Sequence, residues 1–190
     1  MTNVNTGRVA VDPDPPDLSS GAGLTRLYDA HARDLHRYLA RRLDPATADD
    51  LVAETFLAAW EQRARYEPSR GSPRAWLFGI ATNLLRRHAR TEAATLRAMT
   101  RDAGHAVHAE PEDAASAARV DADRAARTLS SGLAALRPEE RDVLLLVAWA
   151  GLRPVEIATA LDLDDRTVRT RLHRARTALR AFLPKENSDA

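Results

Sequence analysis

The sequence predicts an all-α fold: two small helical domains joined by a flexible linker, the second built around a helix-turn-helix. Three observations predict it. Apolar residues recur three and four apart in one stretch after another, and nowhere do they alternate as a half-buried strand requires. Asp, Ser and Pro stand just ahead of those stretches, as at Asp44-Pro45 and Ser72-Pro73, where helices start. Between Thr91 and Asp123 the apolar periodicity fades into Ala, acids and small polar residues, with Gly104 and Pro111 as breakers.

Residues 1–23 are polar and Pro-rich (DPDPPD) and are expected to be disordered. The first domain is expected over 24–90. Its first helix puts Leu24, Leu27, Tyr28, His31, Leu35, Tyr38, Leu39 and Leu43 on one stripe. His31 and His36 lie five apart, about 140° from each other around a helix, so they are no metal pair. The next helix, Ala46 to Arg65, pairs Leu51 with Val52, Thr55 with Phe56 and Ala59 with Trp60; periodicity alone makes it an ordinary surface helix. RYEPSRGS (65–72) is a loop, because Pro68 and Gly71 interrupt it. Pro73 then opens a helix to about Arg90, with Trp76, Leu77, Ile80, Ala81, Leu84 and Leu85 inside. The linker over 91–123 should let the two domains fold separately. The second domain, 124–183, starts with helices over Arg124–Leu136 and Pro138–Gly151, and 184–190 is a polar tail. Arg and acids interleave from Glu139 to Asp142, as on a solvated face.

GLRPVEIATALDLDDRTVRTRLHRARTALRAFL (151–183) reads as a short helix, a turn at Asp162-Leu163-Asp164 and a longer helix capped by Asp165. In the long helix Val168, Leu172, Ala175, Leu179 and Phe182 share a face. The other side carries Arg166, Thr167, Arg169, Thr170, Arg171, His173, Arg174, Arg176 and Arg180, with no acid among them. A solvated helix usually interleaves signs; this one does not. The arrangement is that of a helix-turn-helix whose second helix enters the DNA major groove.

The net charge is only +1, but it is segregated. Residues 63–90 hold seven Arg and one acid, 166–180 six Arg and none, and 91–136 five Arg and seven acids. Two basic blocks around an acidic spacer fit two contacts with a polyanion. Tyr66, Asn83 and the Arg run of the first block are ingredients of single-strand binding, where bases stack and phosphates meet Arg. Taken alone, the same residues are better read as Tyr66 packing on the core and Asn83 in water. There is no cysteine, no Gly-rich phosphate loop and no carboxylate pair with a partner base, which leaves little for an enzyme. His105 and His108 are isolated. No cofactor or metal is expected. The longest apolar run, Val143 to Ala150, is far short of the roughly 20 residues a bilayer needs, and no signal peptide is visible, so a cytoplasmic protein with no membrane insertion is expected.

Three stretches in this order, DLVAETFLAAW (50–60), PRAWLFGIATNLLRRHAR (73–90) and TVRTRLHRARTALR (167–180), closely resemble the extracytoplasmic function (ECF) group of bacterial RNA polymerase sigma factors. The resemblance covers 24–90, as sigma region 2, and about 125–183, as sigma region 4. It implies core RNA polymerase as partner, met at the β′ clamp helices and the β flap, together with promoter DNA and an anti-sigma factor. Asp50, Leu51, Glu54, Thr55 and Leu57 match the clamp-docking helix, which replaces the surface-helix reading. Arg65, Tyr66, Arg70, Asn83, Arg86 and Arg87 match the part that opens the downstream (−10) element, where a base is flipped into a pocket near Asn83 while Arg86 and Arg87 hold backbone. Thr170, Arg171, His173 and Arg174 match the groove-facing positions that read the upstream (−35) element, with Arg166, Thr167 and Arg169 beside them. The chain departs from the group at Arg153-Pro154, often Ser-Tyr there, and at Asp164-Asp165-Arg166, often Pro-x-Gly. A stand-alone helix-turn-helix regulator is the competing reading; it leaves the block at 65–90 unexplained.

Overall fold

A computed structural model describes residues 18, 20–102 and 127–182. Most of the expected disordered tail, the centre of the expected linker with His105 and His108, and the tail beyond 182 lie outside the described residues. Among the described residues all regular structure is helical.

Helix α1 runs Gly21–Ala40, three residues ahead of the expected start. Ser20 explains the difference: its Oγ accepts from the Gly23 N–H (3.2 Å), so the helix is capped there. Helix α2 (Pro45–Glu61) is capped by Asp44, which accepts from the Thr47 N–H at 3.1 Å, and a 3₁₀ turn (Arg63–Arg65) follows it. Helix α3 (Pro73–Asp102) starts where Ser72 Oγ accepts from the Ala75 N–H (3.2 Å). It continues well past the Arg90 expected from the apolar stripe. Tyr38, Leu35, Leu39, Phe56, Leu77 and Phe78 fill the core between these three helices, with the Tyr38 and Phe78 rings edge to face 5.3 Å apart.

Of helix α4, residues 127–135 are described. Helices α5 (Pro138–Ala148), α6 (Pro154–Ala160) and α7 (Asp165–Arg180) follow. The chain leaves α5 through Gly151, whose φ of +65° suits glycine best. Between α6 and α7, Asp162 takes φ +51° and the Leu163 N–H reaches back to the Ala158 carbonyl at 2.8 Å. Asp is one of the few residues that visit the left-handed region readily, so the turn closes without glycine. The cap of α7 is Asp164, not Asp165: Asp164 is extended and accepts from the Thr167 N–H (2.8 Å), while Asp165 already lies in the first turn. Val143, Leu146, Ile157, Val168 and Leu172 seal α7 against α5 and α6.

The two units are in contact, which the linker reading did not foresee. Helix α3 crosses α6 at Gly79, where a Cβ would collide with the Ala160 carbonyl oxygen. A mid-helix glycine costs about 1 kcal/mol relative to alanine, and here it permits the close crossing. Asp142, expected on a solvated face, is 1% exposed and sits between Arg42 (2.8 Å) and Arg86 (2.6 Å) of the first unit.

Candidate nucleic-acid interface

The surface of α7 follows from its seam. Val168, Leu172 and Ala175 are buried, and at about 100° per residue Thr170 stands opposite them, flanked by Arg166, His173 and Arg174. All four are exposed. Arg169 lies on one shoulder, paired with Asp165 at 2.7 Å, and the half-buried Arg171 on the other. Thr167 is engaged by the cap, its hydroxyl donating to Asp164 Oδ2. These two hydrogen bonds from Thr167 hold the Asp164 carboxyl below its usual pKa. Along the Arg169 shoulder, Arg176 and Arg180 join Arg169 and His173 beside Pro154, lining an open groove of about 350 Å³. The sequence placed Arg176 and Arg180 on the basic side but gave them no role. Their spacing from Arg169 and His173, four, three and four, is the signal for one stripe.

In the first unit the six residues assigned to the −10 element fare differently. Arg65 and Asn83 are exposed. Tyr66 is half-buried, its ring 5.0 Å from that of Trp76 and its hydroxyl donating to the Gly71 carbonyl (3.2 Å). Burial raises its pKa. It therefore supports the loop, and its ring packs against Trp76 as the packing alternative has it. Arg87 pairs with Glu54 of α2, Arg86 with Asp142, and Arg70 with Asp162 (3.2 Å).

The five residues assigned to polymerase docking divide between surface and core. Asp50 and Leu57 are exposed, Leu57 by 57%, and Glu54 is half-buried at the edge. Leu51 and Thr55 point inward, and the Thr55 hydroxyl donates to the Leu51 carbonyl at 2.6 Å. As direct contacts these two are corrected: α2 needs them to pack on α1 and α3. The exposed Tyr28, its ring 4.9 Å from Phe56, adds an aromatic surface that the stripe had put on the core side. His36 Nε2 lies 3.3 Å from Asp49, and no group of three candidate metal ligands occurs among the described residues. No helix among them is long and apolar enough to cross a membrane.

A sealed helix-turn-helix with a cationic outer face, joined to a three-helix unit with a second arginine strip, is the architecture of a DNA-binding transcription protein. Residues 27–95 match the family Sigma-70 region 2, and residues 127–179 match Sigma-70, region 4. The chain is 34% identical over 169 residues to the ECF RNA polymerase sigma factor SigL of Mycobacterium tuberculosis, covering 87% of this chain and 91% of that one. It is 32% identical to SigC of the same species, over 85% of this chain and 84% of that one. Among solved structures it resembles CnrH, determined in complex with the cytosolic domain of CnrY, with a TM-score of 0.58, 28% identity, and 86% and 90% of the two chains covered. The chain belongs to the ECF RNA polymerase sigma factors.

Proposed function

We propose that this sigma factor divides its work between three surfaces. The outer edge of α2, with Asp50, Glu54, Leu57 and neighbouring Tyr28, docks on the clamp helices of core polymerase, and the second unit meets the β flap. Arg65, Arg70, Asn83, Arg86 and Arg87 take the −10 strand as it opens. Arg166, Thr170, His173 and Arg174 read the −35 duplex, with Arg169, Arg176 and Arg180 on phosphate. The observation that carries this reading is α7: one face sealed into the core, the other a cationic surface held outward by a capped turn. The protein catalyses nothing itself and works in the cytoplasm. The structure of CnrH with CnrY supports an anti-sigma partner for this chain as well.

Run-off transcription with core polymerase, with and without this protein, tests the reading, followed by mapping of the start sites. Transcripts from discrete starts are expected only with both components. Asn83→Ala should leave binding to −35 duplex intact and slow strand opening, seen as weaker permanganate reactivity of thymines at the start. A template already mismatched there should rescue it, since unstacking then costs nothing. Duplex binding without any effect on core polymerase would instead mark a stand-alone regulator.

A further inference from the structure

Helix α7 carries a single acid, Asp165, at its first position, and six arginines follow it. Asp165 Oδ2 lies 2.7 Å from Nη2 of Arg169, one turn on. Asp165 Oδ1 is turned into the protein and has no hydrogen-bond partner among the described residues. One oxygen is thus held inside and the other is left to the guanidinium. Arg176 and Arg180, further along the same shoulder, form no ion pair among the described residues.

An acid on a helix that meets phosphate has two opposed effects. Its charge repels the backbone. Across a guanidinium, at about 7 Å through water and physiological salt, that repulsion weakens binding by less than about twofold. Its grip on the arginine works the other way. An unrestrained arginine loses rotamer freedom when it takes a phosphate, and immobilising such a side chain weakens binding by about two- to tenfold. The Arg169 side chain is 73% exposed, and Asp165 is its restraint among the described residues. Only Nη2 is engaged by the carboxylate, so the other N–H groups of the fork remain for a phosphate oxygen. Preorganisation therefore outweighs repulsion. As a stabiliser of the helix itself the pair is minor, because exposed pairs four apart add little.

We propose that Asp165 is a positioning residue for the −35 reader. It holds Arg169 with the open side of its guanidinium outward for a backbone phosphate, and so fixes where α7 rests on the duplex. This rests on the reading of Arg169 as a phosphate contact.

A double-mutant cycle tests it, read by anisotropy of a fluorescein-labelled duplex that the wild-type full chain selects from a random pool. Asp165→Ala removes an acid from a DNA-binding helix, and charge alone would tighten binding. It should instead weaken binding about fivefold, on the selected duplex and on its single-base variants alike. Asp165→Asn keeps an oxygen for the guanidinium and should stay within about twofold of the wild type. With Arg169→Ala already in place, Asp165→Ala should cause no loss, because no guanidinium remains to be positioned. With Arg176→Ala in place, the loss on Asp165→Ala should persist.

Equal or tighter binding by Asp165→Ala overturns the positioning role and leaves the acid as a simple brake on phosphate attraction. A loss that Asp165→Asn shares and that survives Arg169→Ala overturns it as well, since the acid would then act through the helix and not through the arginine. If Arg169→Ala alone changes neither affinity nor salt dependence while Arg174→Ala weakens the selected duplex, the reading of Arg169 as a phosphate contact fails, and the role of Asp165 with it. A wild-type chain that selects no duplex from the pool overturns the −35 reading itself.

Discussion

Arg174→Ala probes what α7 contributes. Arg174 is exposed, lies about 130° around the helix from the buried seam, and has no ion-pair partner among the described residues. Removing it costs the fold little: Arg and Ala are both good helix formers, and exposed substitutions usually fall within about 0.5 kcal/mol. The loss should therefore appear in recognition. A bidentate Arg–guanine contact is worth about 1–3 kcal/mol of discrimination, roughly 5- to 150-fold. Arg169→Ala is the matched control. Its guanidinium, 2.7 Å from Asp165, sits on the shoulder proposed to meet phosphate, so its removal should weaken all duplexes alike and reduce the log–log salt slope by about 0.9. The assay is competition binding to single-base variants of a duplex selected by the wild-type protein from a random pool. Arg174→Ala should flatten preference at one position and leave the salt slope nearly unchanged. A uniform loss with a reduced slope would make Arg174 a phosphate contact and refute the base-reading argument.

Other substitutions separate packing from contact. Leu172→Ala removes a buried side chain from the seam of α7 and should cost about 2–5 kcal/mol, read as a lower thermal midpoint with −35 binding lost in parallel. Leu51→Ala should destabilise the first unit by a similar amount, whereas Leu57→Asp, at a site 57% exposed, should leave stability nearly unchanged and abolish retention on immobilised core polymerase. Asp44 and Asp164 both have pKa values lowered by hydrogen bonds from Thr47 and Thr167. Their contribution is therefore complete above the unfolded carboxyl pKa of about 4 and lost as pH falls through the lower folded values. Acid titration followed by helical circular dichroism should show this loss below about pH 4. Asp164→Asn, still able to cap but unable to titrate, should flatten the part due to α7.

The helices were legible because their starts and faces obey local rules, and the misreadings have equally local causes. Asp164 and Asp165 are chemically identical N-caps, and only the extended backbone of Asp164 decides between them. The continuation of α3 past Arg90 was hidden because TEAATLRAMTRD lacks an apolar stripe, yet Ala, Leu, Arg, Met and Glu carry a helix by propensity. Leu51 and Thr55 matched a docking motif and nonetheless turn inward, since a motif held by a helix includes the residues that seat it as well as those that touch the partner.

The contact between units was illegible for a deeper reason. In PEERDVLLL the carboxylate of Asp142 looks like one more acid near a helix start, favoured there by the helix dipole. Its burial depends on Arg42 and Arg86, 100 and 56 residues away, and no periodicity links the three. Gly79, which the sequence reading passed over, is a local irregularity with a reason across the seam: a residue that weakens its own helix here makes room for the carbonyl of Ala160. The charge segregation that was read as two nucleic-acid contacts supplies some of the same arginines to the seam. Under the proposed function one set of guanidinium groups therefore has two kinds of anionic partner, the carboxylates of its own chain and the phosphates of a promoter.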